Sequence, residues 1–93
     1  MREILLDARD WAVGSFYDAF FRAVGAPSWH GRNFDALRDS IGAGEINQIE
    51  VPYRLVIRNY AELTGPSKTI TDDFVSLIGS LRDEGCNVEI RLE

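Results

Sequence analysis

The segment P-S-W-H-G-R-N-F-D-A-L-R-D-S-I-G, Pro27 to Gly42, carries the strongest pattern in this sequence of 93 residues. Asn33 is a good helix cap, because its side chain can accept a hydrogen bond from a free backbone N–H of the first turn. Three apolar residues after it recur at helical spacing: Phe34, Leu37 and Ile41. The segment therefore predicts a loop followed by a short amphipathic helix that ends at Gly42.

Two carboxylates, Asp35 and Asp39, fall on the side of this helix opposite its apolar stripe, since successive residues are rotated by about 100°. Like charges at this spacing repel weakly in an isolated helix, so helix stability does not require the pair. Two interpretations remain open. In one, the acids form a plain solvated face, where the helix dipole favours Asp35 and Arg38 pairs with it. In the other, the acids are presented to a cationic partner.

The loop before the helix contains an aromatic residue, a histidine and a glycine in succession. Trp29 and His30 are amphipathic side chains of the kind that anchor protein interfaces, and Gly31 allows close approach of another backbone. Trp29 fits a core position under the loop equally well. The loop thus extends the candidate binding surface beyond the helix.

The rest of the chain alternates strand and helix patterns. Apolar runs predict strands at Glu3 to Asp7, at Tyr53 to Tyr60 and over residues 86–92, and the first of these suits a strand covered on both faces. Helical spacing predicts two further helices, one capped by Ser15 and one over Ile70 to Glu84. The order predicts one α/β domain, residues 1–93, with a small three-stranded parallel sheet and helices packed on it.

Two segments that connect these elements lack a strand pattern. The stretch T-G-P-S-K-T, from Thr64, has the composition of a turn. Residues 42–52 fit either a short helix or a loop.

Composition limits the possible functions. A formal net charge of −5 disfavours direct binding of nucleic acid and favours a basic protein partner. No apolar run is long enough for a membrane, and the N-terminus meets charge too early for a secretory signal, so we expect a cytoplasmic protein. We also expect a monomer. The lone Cys86 suits a buried, inert thiol, and one cysteine with one histidine predicts neither a metal site nor a cofactor.

The nine residues G-R-N-F-D-A-L-R-D, Gly31 to Asp39, resemble the signature G-x-N-x-D-A-L-x-D of the barstar family, the intracellular inhibitors of secreted bacterial ribonucleases. The resemblance extends over the whole chain in the order of the elements and in the ending E-G-C-N-V-E-I-R-L, Glu84 to Leu92. It implies a barstar-like fold and a protein that is not an enzyme.

The resemblance also implies roles for particular residues. In the family, the second helix and the loop before it occlude the active site of a ribonuclease or nuclease toxin. Asp39 would mimic a phosphate at the cationic centre of that enzyme, Asp35 would contact it alongside, and Gly31 would pass close to its surface. The pattern and the resemblance together define eight candidate partner-binding residues: Trp29, His30, Gly31, Asn33, Asp35, Arg38, Asp39 and Gly42.

Four positions depart from the family pattern. Arg38 replaces an aromatic residue between the two acids, Arg32 replaces an acid, Ser80 falls near a further partner-contacting acid, and Gly42 is changed. A base at position 38 would oppose a basic enzyme unless its side chain turns to an acidic rim. These departures motivate a second hypothesis, an interaction module of the same fold that binds a different basic partner.

A third hypothesis is a hydrolase that uses His30 with one of the two acids, since a histidine and carboxylates are the minimal groups for acid–base catalysis. No nucleophile or metal set accompanies them in the sequence.

Overall fold

Three strands form one parallel sheet. The structure, a computed structural model, describes residues 1–11 and 13–93, with the backbone alone at residues 13–15. The strands are β1 (Arg2–Asp7), β2 (Tyr53–Arg58) and β3 (Val88–Leu92), and they lie in the order β1-β2-β3 with both pairs parallel. The predicted fold class is thus confirmed.

Three α-helices in the described residues connect the strands: α1 (Val13–Val24), α2 (Phe34–Gly42) and α3 (Gly65–Asp83). None of them is long and apolar enough to cross a membrane. Short 3-10 turns follow β1 and β2, at Ala8–Asp10 and Tyr60–Glu62. All three helices contribute to one core with the strands, and its most deeply buried members include Phe16, Phe20, Leu37, Ile41, Leu55, Ile57, Phe74, Ile78 and Val88.

The helices cover only one face of the sheet. Ile4 of β1 pairs in register with Leu55 of β2, and both are buried in the core. The other face carries Arg54, whose guanidinium bonds to carboxylates on both neighbouring strands, and Leu5, which is 60% exposed. The expectation that the first strand is covered on both faces is therefore wrong, because every helix packs on the same side.

Two helices begin earlier than their sequence patterns predict. The stretch expected to form a turn, from Thr64, instead opens α3, with Thr64 as an extended cap and Pro66 in the first turn. Proline is favourable there because the N–H that it lacks would have no partner within the helix. Ser15, the predicted cap of the first helix, lies within α1, which begins at Val13.

Helix and loop were both open for residues 42–52, and beyond Gly42, the last residue of α2, this segment forms a loop. The Glu50 carboxylate holds it by accepting hydrogen bonds from the backbone N–H groups of Ile46, at 3.0 Å, and Asn47, at 2.9 Å.

Stability should depend on four carboxylates whose pKa values lie below the ordinary range, because each accepts a hydrogen bond from a neighbouring donor: Asp7 from Asn59, Asp18 from Arg32, Asp72 from Lys68 and Glu84 from Arg38. A lowered folded-state pKa contributes stability that is present above the unfolded value of about 4 and is lost as pH falls through the folded value. We expect the melting temperature to be nearly constant between about pH 7 and pH 5 and to decline below about pH 4. Calorimetry across this range tests it, and a melting temperature that rises on acidification below pH 4 would contradict it.

Candidate protein-binding site on α2

Local hydrogen bonds set both ends of α2. Asn33 has an extended backbone, and its side-chain Oδ1 accepts the backbone N–H of Ala36 at 2.8 Å. At the other end the N–H of Ala43 donates to the carbonyl of Asp39 at 2.9 Å. The helix therefore has the predicted bounds, and Asn33 acts as its cap.

The apolar stripe fixes α2 against the rest of the molecule. Leu37 and Ile41 are fully buried in the core. Phe34 is half-buried, with its ring centroid 6.4 Å from those of Tyr17 on α1 and Phe74 on α3. This packing orients the opposite side of α2 toward solvent on a rigid support.

The two carboxylates occupy that opposite side. Asp35 and Asp39 are both exposed, and neither side chain makes a hydrogen bond or ion pair with any residue that the structure describes. The proposed pairing of Asp35 with Arg38 is therefore absent from this part of the chain. Within the described residues, the pair stands as two negative charges without a basic partner.

The bases nearest to the pair in sequence contact other acids. Arg32 donates to the Asp18 carboxylate of α1 at 2.6 Å, and its guanidinium lies over the Tyr17 ring. Arg38 bonds to the Glu84 carboxylate at the end of α3 and donates to the Ser80 hydroxyl at 2.8 Å. These contacts show where the two basic departures from the family pattern are accommodated: each binds another helix of the same chain.

Trp29 is the most exposed aromatic side chain in the described residues. It is 72% exposed, although a core position under the loop was an open alternative. That alternative is wrong, and the indole is available at the surface just before α2.

His30 is instead a support of the loop. Its side chain is buried, its ring centroid lies 4.5 Å from that of Phe21, and its Nδ1 donates to the Gly31 carbonyl at 2.9 Å. The expectation that His30 projects as a surface anchor is wrong, because the ring packs on α1. It makes no hydrogen bond to Asp35 or Asp39, so the described residues do not assemble the hydrolase set.

Two glycines of the site lie where a side chain would crowd the chain itself. A Cβ at Gly31 would be 3.1 Å from the Cβ of Ala36, which shows that the loop folds back closely on the first turn of α2. A Cβ at Gly42 would be 3.2 Å from a methyl carbon of Leu81 on α3. A side chain at either position would therefore force its neighbour to shift by a few tenths of an ångström.

A groove of about 390 Å³ runs between the ends of α2 and α3, beside Asp39. Its lining includes Arg38, Glu84 and Cys86. Partial burial raises the pKa of the Cys86 thiol, in agreement with an unreactive cysteine. The sequence did not predict the contact of Glu84 with Arg38, because only the fold brings together residues 46 positions apart.

Comparison with known families shows to which family this chain belongs. A family model described as Barstar (barnase inhibitor) matches residues 1–93, the whole chain. The chain belongs to the barstar family. No curated protein matches it at a significant level.

Membership of the barstar family agrees with the architecture of the described residues, three helices and a three-stranded parallel sheet. The family is described as inhibitors of a ribonuclease, so a ribonuclease is the class of partner that it implies. In this member of the barstar family, Asp35 and Asp39 of α2 and Trp29 before it are exposed side chains.

The two tryptophans provide a direct test of the loop. Trp29 is 72% exposed and Trp11 is 5% exposed, so a neutral collisional quencher such as acrylamide should reach only Trp29 in the folded protein. We expect Trp29→Phe to remove the quenchable fluorescence, whereas Trp11→Phe, the matched control, should leave it. Equal quenching of the two single-tryptophan variants would show that the loop packs differently.

Proposed function

We propose that this protein inhibits a ribonuclease or a related nuclease toxin by occluding its active site, with the acidic face of α2 as a mimic of the RNA phosphate. Such an inhibitor acts as a monomer in the cytoplasm and needs no cofactor. Membership of a family described as barnase inhibitors supports the class of partner.

One observation carries the proposal: the acid pair has no ionic or hydrogen-bonding partner within the described chain, although Arg38 and Arg32 lie close in sequence. Two exposed acids at this spacing repel each other slightly, so they do not stabilise the helix. A ribonuclease active site already contains groups that stabilise anionic oxygen. Carboxylates held on a rigid helix satisfy those groups without a large ordering cost on binding.

Within this proposal the residues have distinct roles. Asp39 lies at the centre of the contact and replaces a phosphate, and Asp35 meets the cationic rim beside it. Trp29 adds an exposed aromatic surface of the type enriched in interface hot spots. Asn33, Gly31, Gly42 and His30 act from within, by capping α2, permitting close packing and supporting the loop.

The overall charge favours the same partner. A protein with net charge −5 attracts a basic enzyme over a distance comparable to the Debye length, about 8–10 Å at moderate salt. Such attraction raises the encounter rate more than the final affinity, and barstar with barnase is itself a standard example.

A second candidate is an interaction module of the barstar fold that binds a basic protein other than a nuclease. The observation in its favour is the changed charge around the pair, where Arg32, Arg38 and Ser80 stand at positions that the family pattern fills differently. Different charges around the acid pair change which partner binds, while the acid pair itself is kept.

Affinity capture separates the two candidates. The wild-type protein and the double variant Asp35→Ala/Asp39→Ala are immobilised, lysate and secreted fraction of the source organism are passed over both, and retained proteins are identified by mass spectrometry. A basic nuclease retained by the wild type alone supports the inhibitor. A non-nuclease retained by the wild type alone favours the second candidate, and identical sets on both columns would show that the acid pair is only a solvated face.

A further inference from the structure

Arg38 occupies a sensitive position on α2. It follows Asp35 by three residues and directly precedes Asp39, and side chains three apart on a helix are neighbours. A guanidinium that turned along α2 could therefore neutralise one member of the acid pair. It would also bring a positive charge to the surface that a cationic partner approaches.

The structure directs the guanidinium elsewhere. One amino group of Arg38 bonds to the Glu84 carboxylate, and the other donates to the Ser80 hydroxyl at 2.8 Å. The Ser80 hydroxyl also lies 3.5 Å from the same carboxylate, so the three side chains form one cluster on the last turn of α3. The Arg38 side chain is 38% exposed, and part of it is covered between the two helices.

The contact also affects the titration of Glu84. The Arg38 guanidinium lowers the pKa of Glu84 below its ordinary value, so this carboxylate is charged over the whole neutral range. At neutral pH the cluster thus compensates the charge of Arg38 on α3, and it leaves both acids of α2 without a partner in the described residues.

We propose that Glu84, assisted by Ser80, is a positioning residue that holds Arg38 against α3 and so keeps Asp35 and Asp39 uncompensated for a cationic partner. This inference rests on the proposed function, because the benefit of a free acid pair depends on such a partner. It assigns Glu84 a role through Arg38 and not through direct contact with the partner.

A set of four variants tests the role. Glu84→Gln removes the anchor, Arg38→Gln removes the base, and the double variant removes both. Asp83→Asn is the matched control, because Asp83 is an exposed acid next to Glu84 and loses the same charge. The probe is barnase, the ribonuclease named in the family description, with association and dissociation rates measured by surface plasmon resonance.

We expect Glu84→Gln to lower the association rate constant about fivefold beyond the effect of Asp83→Asn, a scale typical of charges that steer association. Adding Arg38→Gln to Glu84→Gln should bring the rate back to that of Arg38→Gln, apart from the loss that Asp83→Asn also shows, because no base is left to reach the acid pair. A loss in the double variant that exceeds the effect of Asp83→Asn would mean that Glu84 contacts the partner directly, which would overturn the positioning role. Equal effects of Glu84→Gln and Asp83→Asn would also overturn it.

A measurement without any partner keeps this inference separate from the proposed function. In NMR spectra of the free wild-type protein, the Arg38 side chain should show nuclear Overhauser contacts to Ser80 and Glu84. In free Glu84→Gln these contacts should be replaced by contacts to Asp35 or Asp39, and contacts that remain on α3 would refute the positioning role. If the wild type fails to bind barnase while the free variant shows the exchange, inhibition of that enzyme is refuted and the positioning of Arg38 stands.

Discussion

Replacement of Asp39 by alanine is expected to weaken binding of the partner ribonuclease by more than about 2 kcal/mol, the size of an interface hot spot, for which barstar itself is a standard example. The reason is that the carboxylate would lie at the centre of the contact, where its loss leaves cationic groups of the enzyme buried and unpaired. The thermal stability of the free protein should hardly change, because Asp39 is exposed and its side chain makes no bond in the described residues. Isothermal titration calorimetry and thermal unfolding of the same samples measure the two effects.

Glu3→Ala is the control for this experiment. Glu3 carries the same charge, but it lies on the uncovered face of the sheet, where it pairs with Arg54. Its loss should leave the affinity within about twofold of the wild-type value, since distant rim charges mainly alter the encounter rate. A large drop in melting temperature for Asp39→Ala with unchanged affinity would show that Asp39 is a structural residue.

Replacement of Leu37 by alanine should strongly lower the stability of the free protein. Leu37 is fully buried, and truncation of such a side chain leaves a cavity that costs about 2–5 kcal/mol. Domains of this size have total stabilities of about 5–15 kcal/mol, so the variant should unfold at a much lower urea concentration. Because Leu37 fixes α2 to the core, the loss should also reduce affinity for the partner.

Leu5→Ala is the matched control for Leu37→Ala, since it makes the same chemical change at a side chain that is 60% exposed. It should alter the free energy of unfolding by less than about 0.5 kcal/mol, as is usual for surface substitutions. Similar losses in the two variants would show that α2 does not pack through the predicted stripe.

The sequence predicted α2 to its first and last residues because several local signals agree there. The cap at Asn33, the apolar spacing and the glycines after Ile41 all point to the same short helix. The alternation of strand and helix patterns likewise predicted the parallel sheet, since that order leaves few arrangements. The resemblance to the barstar family then suggested a role for the exposed face, which periodicity alone left open.

The sequence predictions fail where contacts between residues far apart in the chain decide which side chains are buried or paired. The apolar run that contains Leu5 cannot show on which side of the sheet the helices pack. His30 is buried because its ring meets Phe21 on another helix, a contact that no local pattern reveals. Arg38 pairs with Glu84, 46 positions away in the sequence. The sequence shows a base between two acids, but only the fold shows that Glu84 binds this base.

Inhibition of RNA cleavage tests the proposed role of the acid pair most directly. Barnase activity on an RNA substrate is measured at increasing concentrations of the wild-type protein, of Asp35→Ala/Asp39→Ala and of Glu3→Ala. We predict that the wild type and Glu3→Ala abolish cleavage near equimolar concentration and that the double variant needs at least a hundredfold more, about 2.7 kcal/mol of binding free energy. Cleavage that continues at a large excess of the wild type, or that the double variant suppresses equally well, would contradict it.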